Sequence, residues 1–128
     1  MSVINKETPI VKRIQIEASK VGARLFRNNN GALQNNRGEW ITYGLGKGTA
    51  DLVGWLPVNI TPEMVGSVMA VFVACEVKTE TGKLTEEQKN FIDVINRAGG
   101  IAFMARSDQE AVANLRGTQW GTTLISKV

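Results

Sequence analysis

A chain of 128 residues with no histidine and a single cysteine is closed to several chemistries before any motif is read. Imidazole bases, Ser-His and Cys-His nucleophiles, intramolecular disulfides and thiolate-rich zinc sites all need residues it lacks. Its 43% apolar content, 21% charged content and formal charge of +3 suit one soluble domain with a mild lean toward polyanionic partners.

The opening stretch "MSVINKETPIVKR" has no apolar h-region, so no signal peptide is expected. The longest apolar run, Val68 to Cys75, is eight residues and too short to span a bilayer. A cytoplasmic location is therefore expected.

Thr8-Pro9 reads as an N-cap and first helical residue. Ile10, Ile14, Ala18, Val21 and Leu25 then recur at helical spacing, which predicts a helix over residues 9–26. Glu17 falls inside that stripe, between Ile14 and Val21. A carboxylate facing a core costs several kcal/mol unless it is paired or holds a cation. Both readings stay open here: a bond to an arginine such as Arg24, or a ligand role.

Residues 28–38 are rich in Asn and Gly and read as a loop or hairpin tip, with Arg24, Arg27 and Arg37 close by. "WITY" is a short strand. "GLGKG" resembles a phosphate loop only superficially, because Lys47 is followed by Gly48 and a strand rather than by Ser or Thr and a helix. Its glycines are read as permitting a tight turn or close backbone approach.

"ADLVGWLPV" and "SVMAVFVACEVK" are β-rich runs separated by "NITPEMVG". An antiparallel hairpin centred on residues 63 and 64 would set Asp51 opposite Glu76. Directly opposed Cβ atoms lie about 5 Å apart, so two acids there need a cation or a shared proton. Lys78, two residues beyond Glu76, shares its face of the strand. The plain alternative is a strand-end salt bridge.

"TEEQ", Thr85 to Gln88, is a capping box opening a helix over residues 86–98 that ends at Gly99-Gly100. Phe91, Ile92, Ile95 and Ala98 form its apolar face. Gln88 points the same way as Ile92, either to close the cap or to reach the acids. "IAFMARS" is a further buried strand, and "SDQE" repeats the capping box for a helix over residues 108–116, stopped by Gly117. Residues 118–128 are left unassigned. The order implies an α/β domain with a mixed sheet.

Glu17, Asp51, Glu76 and Lys78 thus form a histidine-free set of acids and a lysine, which suits a hard cation such as Mg²⁺ or Mn²⁺. The pattern Glu…Gly-x-Ala-Asp…Glu-x-Lys…Gln resembles the PD-(D/E)XK nuclease superfamily, and more narrowly its VRR-NUC branch. The stretches that carry the likeness are "FRNNNGA", "GLGKGTADLVG", "CEVKTETGKLTEEQKNFID" and "RAGGIAFMARS", within residues 9–116. Ala50 precedes Asp51 where the superfamily name has proline.

The resemblance implies a restriction-endonuclease-like core, a mixed β-sheet flanked by helices, in one domain spanning residues 1–128. It implies metal-dependent hydrolysis of DNA phosphodiesters, with preference for branched structures such as four-way junctions or flaps. Single-domain members resemble Holliday-junction resolvases, are expected to form homodimers, and often occur in phage settings. Asp51, Glu76 and the Val77 carbonyl would be metal ligands, with Glu17 a further candidate. Lys78 would be catalytic, Glu17 the helix-borne acid and Gln88 the motif glutamine. Arg24, Arg27, Asn29, Arg37, Lys47 and Lys83 would contact the DNA backbone. Two rivals stand beside this: a non-catalytic DNA-junction binder, which need not keep Glu76 and Lys78, and an enzyme of small phosphoesters, which leaves the basic loop unexplained.

Overall fold

The computed structural model describes residues 7–117, which form two compact units divided between Asn59 and Ile60.

The first unit begins with α1 (Glu7–Lys20), followed by β1 (Arg24–Arg27), β2 (Gly31–Gln34), β3 (Trp40–Tyr43) and β4 (Leu52–Trp55). The helix stops six residues earlier than the apolar spacing predicts, and Leu25 belongs to β1 instead. The cause is Gly22, whose φ of 92° lies in the left-handed region. The Ala23 N–H donates to the Ala18 carbonyl and the Gly22 N–H to Ser19, a Schellman closure that satisfies the last carbonyls and turns the chain. Thr8 and Pro9 lie inside the first helical turn rather than opening it.

β1 pairs antiparallel with β4, from Arg24 opposite Trp55 to Arg27 opposite Leu52. Phe26 and Trp55 meet across this ladder with ring centroids 5.3 Å apart, tilted by 48°. The Gln15 side-chain amide donates to the Leu25 carbonyl at 3.0 Å, tying α1 to β1. β2 and β3 form a separate antiparallel hairpin, Gln34 opposite Trp40. At its tip the Asn35 side-chain oxygen accepts from the Arg37 and Glu39 N–H groups, the local closure that makes Asn a turn residue.

The second unit holds a 3₁₀ turn (Pro62–Met64), β5 (Val73–Val77), α2 (Glu86–Arg97), β6 (Ile101–Ala105) and α3 (Asp108–Arg116). β5 and β6 are parallel, Val73 opposite Ile101 through Val77 opposite Ala105, so a crossover must join them, and α2 supplies it. The ladders described for β4 and β5 run to β1 and β6; the β4–β5 hairpin expected from the sequence is not among them. Nor is the whole apolar run from Val68 a buried strand, since regular pairing begins only at Val73 and Val68 and Met69 are exposed.

The core of this unit gathers under α2. Ile95 is 1% exposed, and Ile101, Ala102 and Ala105 are buried beside it. Burying one isoleucine side chain stabilises by roughly 1.5–3 kcal/mol. α2 opens with the expected box, in which Thr85 Oγ1 accepts from the Gln88 N–H and Gln88 Oε1 accepts from the Thr85 N–H. It ends in a second Schellman closure, the Gly100 N–H donating to Ile95 and the Gly99 N–H to Asn96. Phe91, expected on the buried face, is instead 41% exposed. At α3 only half of the expected box forms: Ser107 caps the Glu110 N–H, while Glu110 Oε1 turns to the Arg106 N–H.

Candidate active site

Three of the sequence-predicted residues come together in the second unit. Along β5 the half-buried side chains alternate with exposed ones, which sets Ala74 and Glu76 on one face and Val73, Cys75 and Val77 on the other. Lys78 follows at the next position of the Glu76 face and is also half-buried. Its backbone N–H continues the ladder to the Ala105 carbonyl at 3.1 Å. Lys78 Nζ lies 3.7 Å from Glu76 Oε1, with side-chain exposures of 19% for the lysine and 35% for the glutamate. At that exposure the pair is worth little as a stabilising ion pair. Its value is in placing an amine beside a carboxylate at the strand's end.

Gln88 serves both roles considered for it. While its oxygen closes the α2 cap, its Nε2 donates to Glu76 Oε1 at 2.9 Å. One carboxylate oxygen is therefore fixed by an amide and an ammonium. A cavity of about 260 Å³ between β5 and α2 opens over this pair, lined by Ala74, Cys75, Glu76, Glu87, Gln88, Phe91 and Ile92.

In the first unit, Asp51 is exposed and stands one residue before β4. Its backbone carbonyl accepts from the Asn28 N–H at 2.8 Å. The loop that delivers it, residues 44–50, is stapled by two asparagines of the "FRNNNGA" stretch, to which the sequence alone assigns no such role. Asn28 Nδ2 donates to Thr49 Oγ1 and the Ala50 carbonyl, and Asn28 Oδ1 accepts from the Leu45 N–H. Asn30 Nδ2 donates to Thr49 Oγ1 and Asn30 Oδ1 accepts from the Gly46 N–H. Gly44, at φ 83°, has no room for a Cβ, which would run into the Asn29 carbonyl. Of the "GLGKG" glycines, Gly44 serves close backbone approach while Gly46 and Gly48, at φ 112° and 89°, let the loop turn, and Lys47 is carried exposed between them.

Glu17 departs from expectation. It is not core-facing: the buried residue of α1 is Val11, and the Glu17 side chain is 68% exposed. Its partner is Lys20, at 2.9 Å one turn on, rather than Arg24. The apolar spacing set the phase on Ile10 and Ile14, which are each nearly half exposed, whereas the buried residue of the helix is Val11. The expected DNA contacts Arg24, Arg27, Asn29, Arg37, Lys47 and Lys83 are all exposed. Arg27 Nε donates to Asn29 Oδ1 at 3.1 Å, which preorganises that pair.

The oxygen donors open to a metal are the Glu76 carboxylate and adjoining Val77 carbonyl in the second unit and, separately, the Asp51 carboxylate in the first. Oxygen donors of this kind suit hard cations such as Mg²⁺ or Mn²⁺. Among the described residues, no three acidic or cysteine side chains cluster as a ready ligand cage.

An acid and a lysine at the end of a parallel β-strand, braced by a glutamine from the crossover helix, define a mixed α/β protein of the restriction-endonuclease-like kind. The VRR-NUC domain family model matches residues 11–109, and the chain belongs to that family. Its membership makes it a nuclease-family protein with DNA as the implied substrate. No curated protein and no solved structure matches the chain. No helix among the described residues is long and apolar enough to cross a membrane.

Proposed function

We propose that this chain is a divalent-metal-dependent endodeoxyribonuclease that selects branched DNA, such as four-way junctions or flaps. The observation that carries the reading is the Glu76–Lys78–Gln88 constellation at the end of β5. A binding module need not keep a lysine held beside a braced acid.

Glu76 and the Val77 carbonyl would hold the ion, and Asp51 joins them through the family pattern. Bound there, the ion supplies Lewis-acid polarisation of the scissile phosphate and activation of a water. Gln88 keeps the Glu76 carboxylate in one orientation, so its free oxygen is presented without searching rotamers. Lys78 presents its amine to the attacking water or to the charge that builds on phosphorus. The water oxygen bonds to phosphorus as the bond to the leaving deoxyribose oxygen breaks, the water giving up one proton to solvent and the leaving oxygen taking one up. Glu17, engaged by Lys20, would have to exchange that partner to take part. Arg24, Arg27, Asn29, Arg37, Lys47 and Lys83 would track phosphates rather than read bases.

One active centre cuts one strand, so symmetric cleavage of a four-way junction calls for a two-fold dimer, read by sedimentation with and without DNA. The test of the activity is incubation of pure protein with labelled duplex, flap and four-way DNA, with and without Mn²⁺. Cleavage of the branched substrates only with metal supports the reading, and binding without cleavage under every condition overturns it. Calorimetric titration with Mn²⁺ should show binding that Asp51→Asn and Glu76→Gln each abolish; undiminished binding in both variants removes the ligand assignment.

A further inference from the structure

Arg106, directly after β6, makes no ion pair among the described residues. Its Nη1 is instead aimed at three backbone carbonyls, those of Thr79, Glu80 at 3.2 Å and Gly82 at 2.8 Å. These belong to the turn that immediately follows Lys78. The two N–H groups on Nη1 therefore share three acceptors, the kind of gathering a planar, permanently charged guanidinium performs well. The neighbouring residue, Ala105, accepts the Lys78 backbone N–H at 3.1 Å. Gly82 is folded back so closely that a Cβ there would touch Lys78 Cδ and the Thr79 hydroxyl, both at 3.4 Å. The turn thus lies along the Lys78 stem, which accounts for a lysine past the end of a strand being only 19% exposed.

We infer that Arg106 is a positioning residue for Lys78: by gathering the 79–82 carbonyls it holds the turn over the Lys78 stem and aims the amine at Glu76. The inference rests on the proposal that Lys78 is the catalytic lysine, and it adds a role that the motif residues do not contain. A surface arginine in a nuclease would ordinarily be assigned to phosphate. Here one terminal nitrogen is committed to the protein's own backbone.

Two readouts separate these roles. In Arg106→Ala, cleavage at saturating DNA should fall about tenfold or more, because a catalytic group displaced by an ångström loses rate steeply. DNA affinity should hold, with the salt slope of binding changed by well under about one unit. Arg106→Lys keeps the charge without the planar fork and should not restore full turnover. Without DNA, acetylation of Lys78 followed by mass spectrometry should run at least about threefold faster in both variants, since the turn no longer covers the stem. Circular dichroism confirms that each variant is folded, and Arg106→Lys keeps the test open should Arg106→Ala fail to fold. Weaker binding with a salt slope lower by about one and normal turnover would make Arg106 a phosphate contact and overturn the inference. Unchanged Lys78 labelling would overturn it as well. If the wild type cuts no DNA yet labelling rises in the variants, the clamp on Lys78 stands and the nuclease proposal alone fails.

Discussion

Glu76 sits within a hydrogen-bonded parallel ladder and is braced from a helix, whereas Asp51 stands just outside its strand at the end of a glycine-rich loop. The first acid is aimed by regular structure: strand alternation chooses its face and a helix-capping residue takes one of its oxygens. The second depends on Asn28 and Asn30, whose amides do for an irregular loop what a ladder does for a strand. Two acids of equal chemical standing can therefore be positioned by means with different tolerances. Substitution near Glu76 must break a hydrogen-bonded ladder, while substitution near Asp51 need only release a staple.

The largest expected effect lies on the ladder side. Lys78→Ala should lose cleavage by a factor of at least about 100, as removal of one acid–base or electrostatic group does. DNA affinity measured by fluorescence anisotropy should fall far less, since one lysine accounts for at most about one released counterion. Normal cutting at saturating DNA would reduce Lys78 to an ion-pair partner and erase the contrast between the two sides.

On the staple side, Asn28→Ala removes two donated bonds and one accepted bond from the 44–50 loop. At about 1 kcal/mol per bond, partly offset by water, a loss of about 1–3 kcal/mol in local order is expected. Hydrogen exchange should show it as faster exchange of the Leu45 and Gly46 amides, with β5 and β6 unaffected. Faster exchange spreading into β5 would show that the two sides are not separately built.

The smallest effect belongs to Glu17. An exposed i,i+3 pair contributes about 0.5 kcal/mol or less, so Glu17→Ala should leave the thermal midpoint nearly unchanged. Any loss of cleavage in that variant would then report a functional acid and not a structural one.

Much of this was legible before the structure, and what was not shares a physical origin. Thr85 and Gln88 declare their cap because the signal is local and fixed in spacing. Glu76 and Lys78 declare a common face because strand alternation is equally local. The Asn28–Thr49 and Arg106–Thr79 bonds join residues 21 and 27 apart and leave no periodic trace. The β4–β5 hairpin, which is not among the described ladders, was expected for a related reason. Sequence neighbours were paired by default, whereas β5 takes its partner from beyond a whole helix. The misplaced Glu17 followed from taking Ile10 and Ile14 as the buried stripe, whereas α1 buries Val11; the unread Gly22 misplaced only the helix end.

Gln88 closes the first turn of α2 and holds the Glu76 carboxylate with the same side chain. Helix ends fray at temperatures well below global melting, because the first turn opens without disturbing Ile95 and the core beneath it. Each opening of this cap frees the glutamine and leaves the glutamate unbraced. Heat should therefore silence the site reversibly while the fold is still intact, and cooling should return it without refolding the chain. The thermal limit of the proposed catalyst would then be set by one helical turn, and that of the protein by its core.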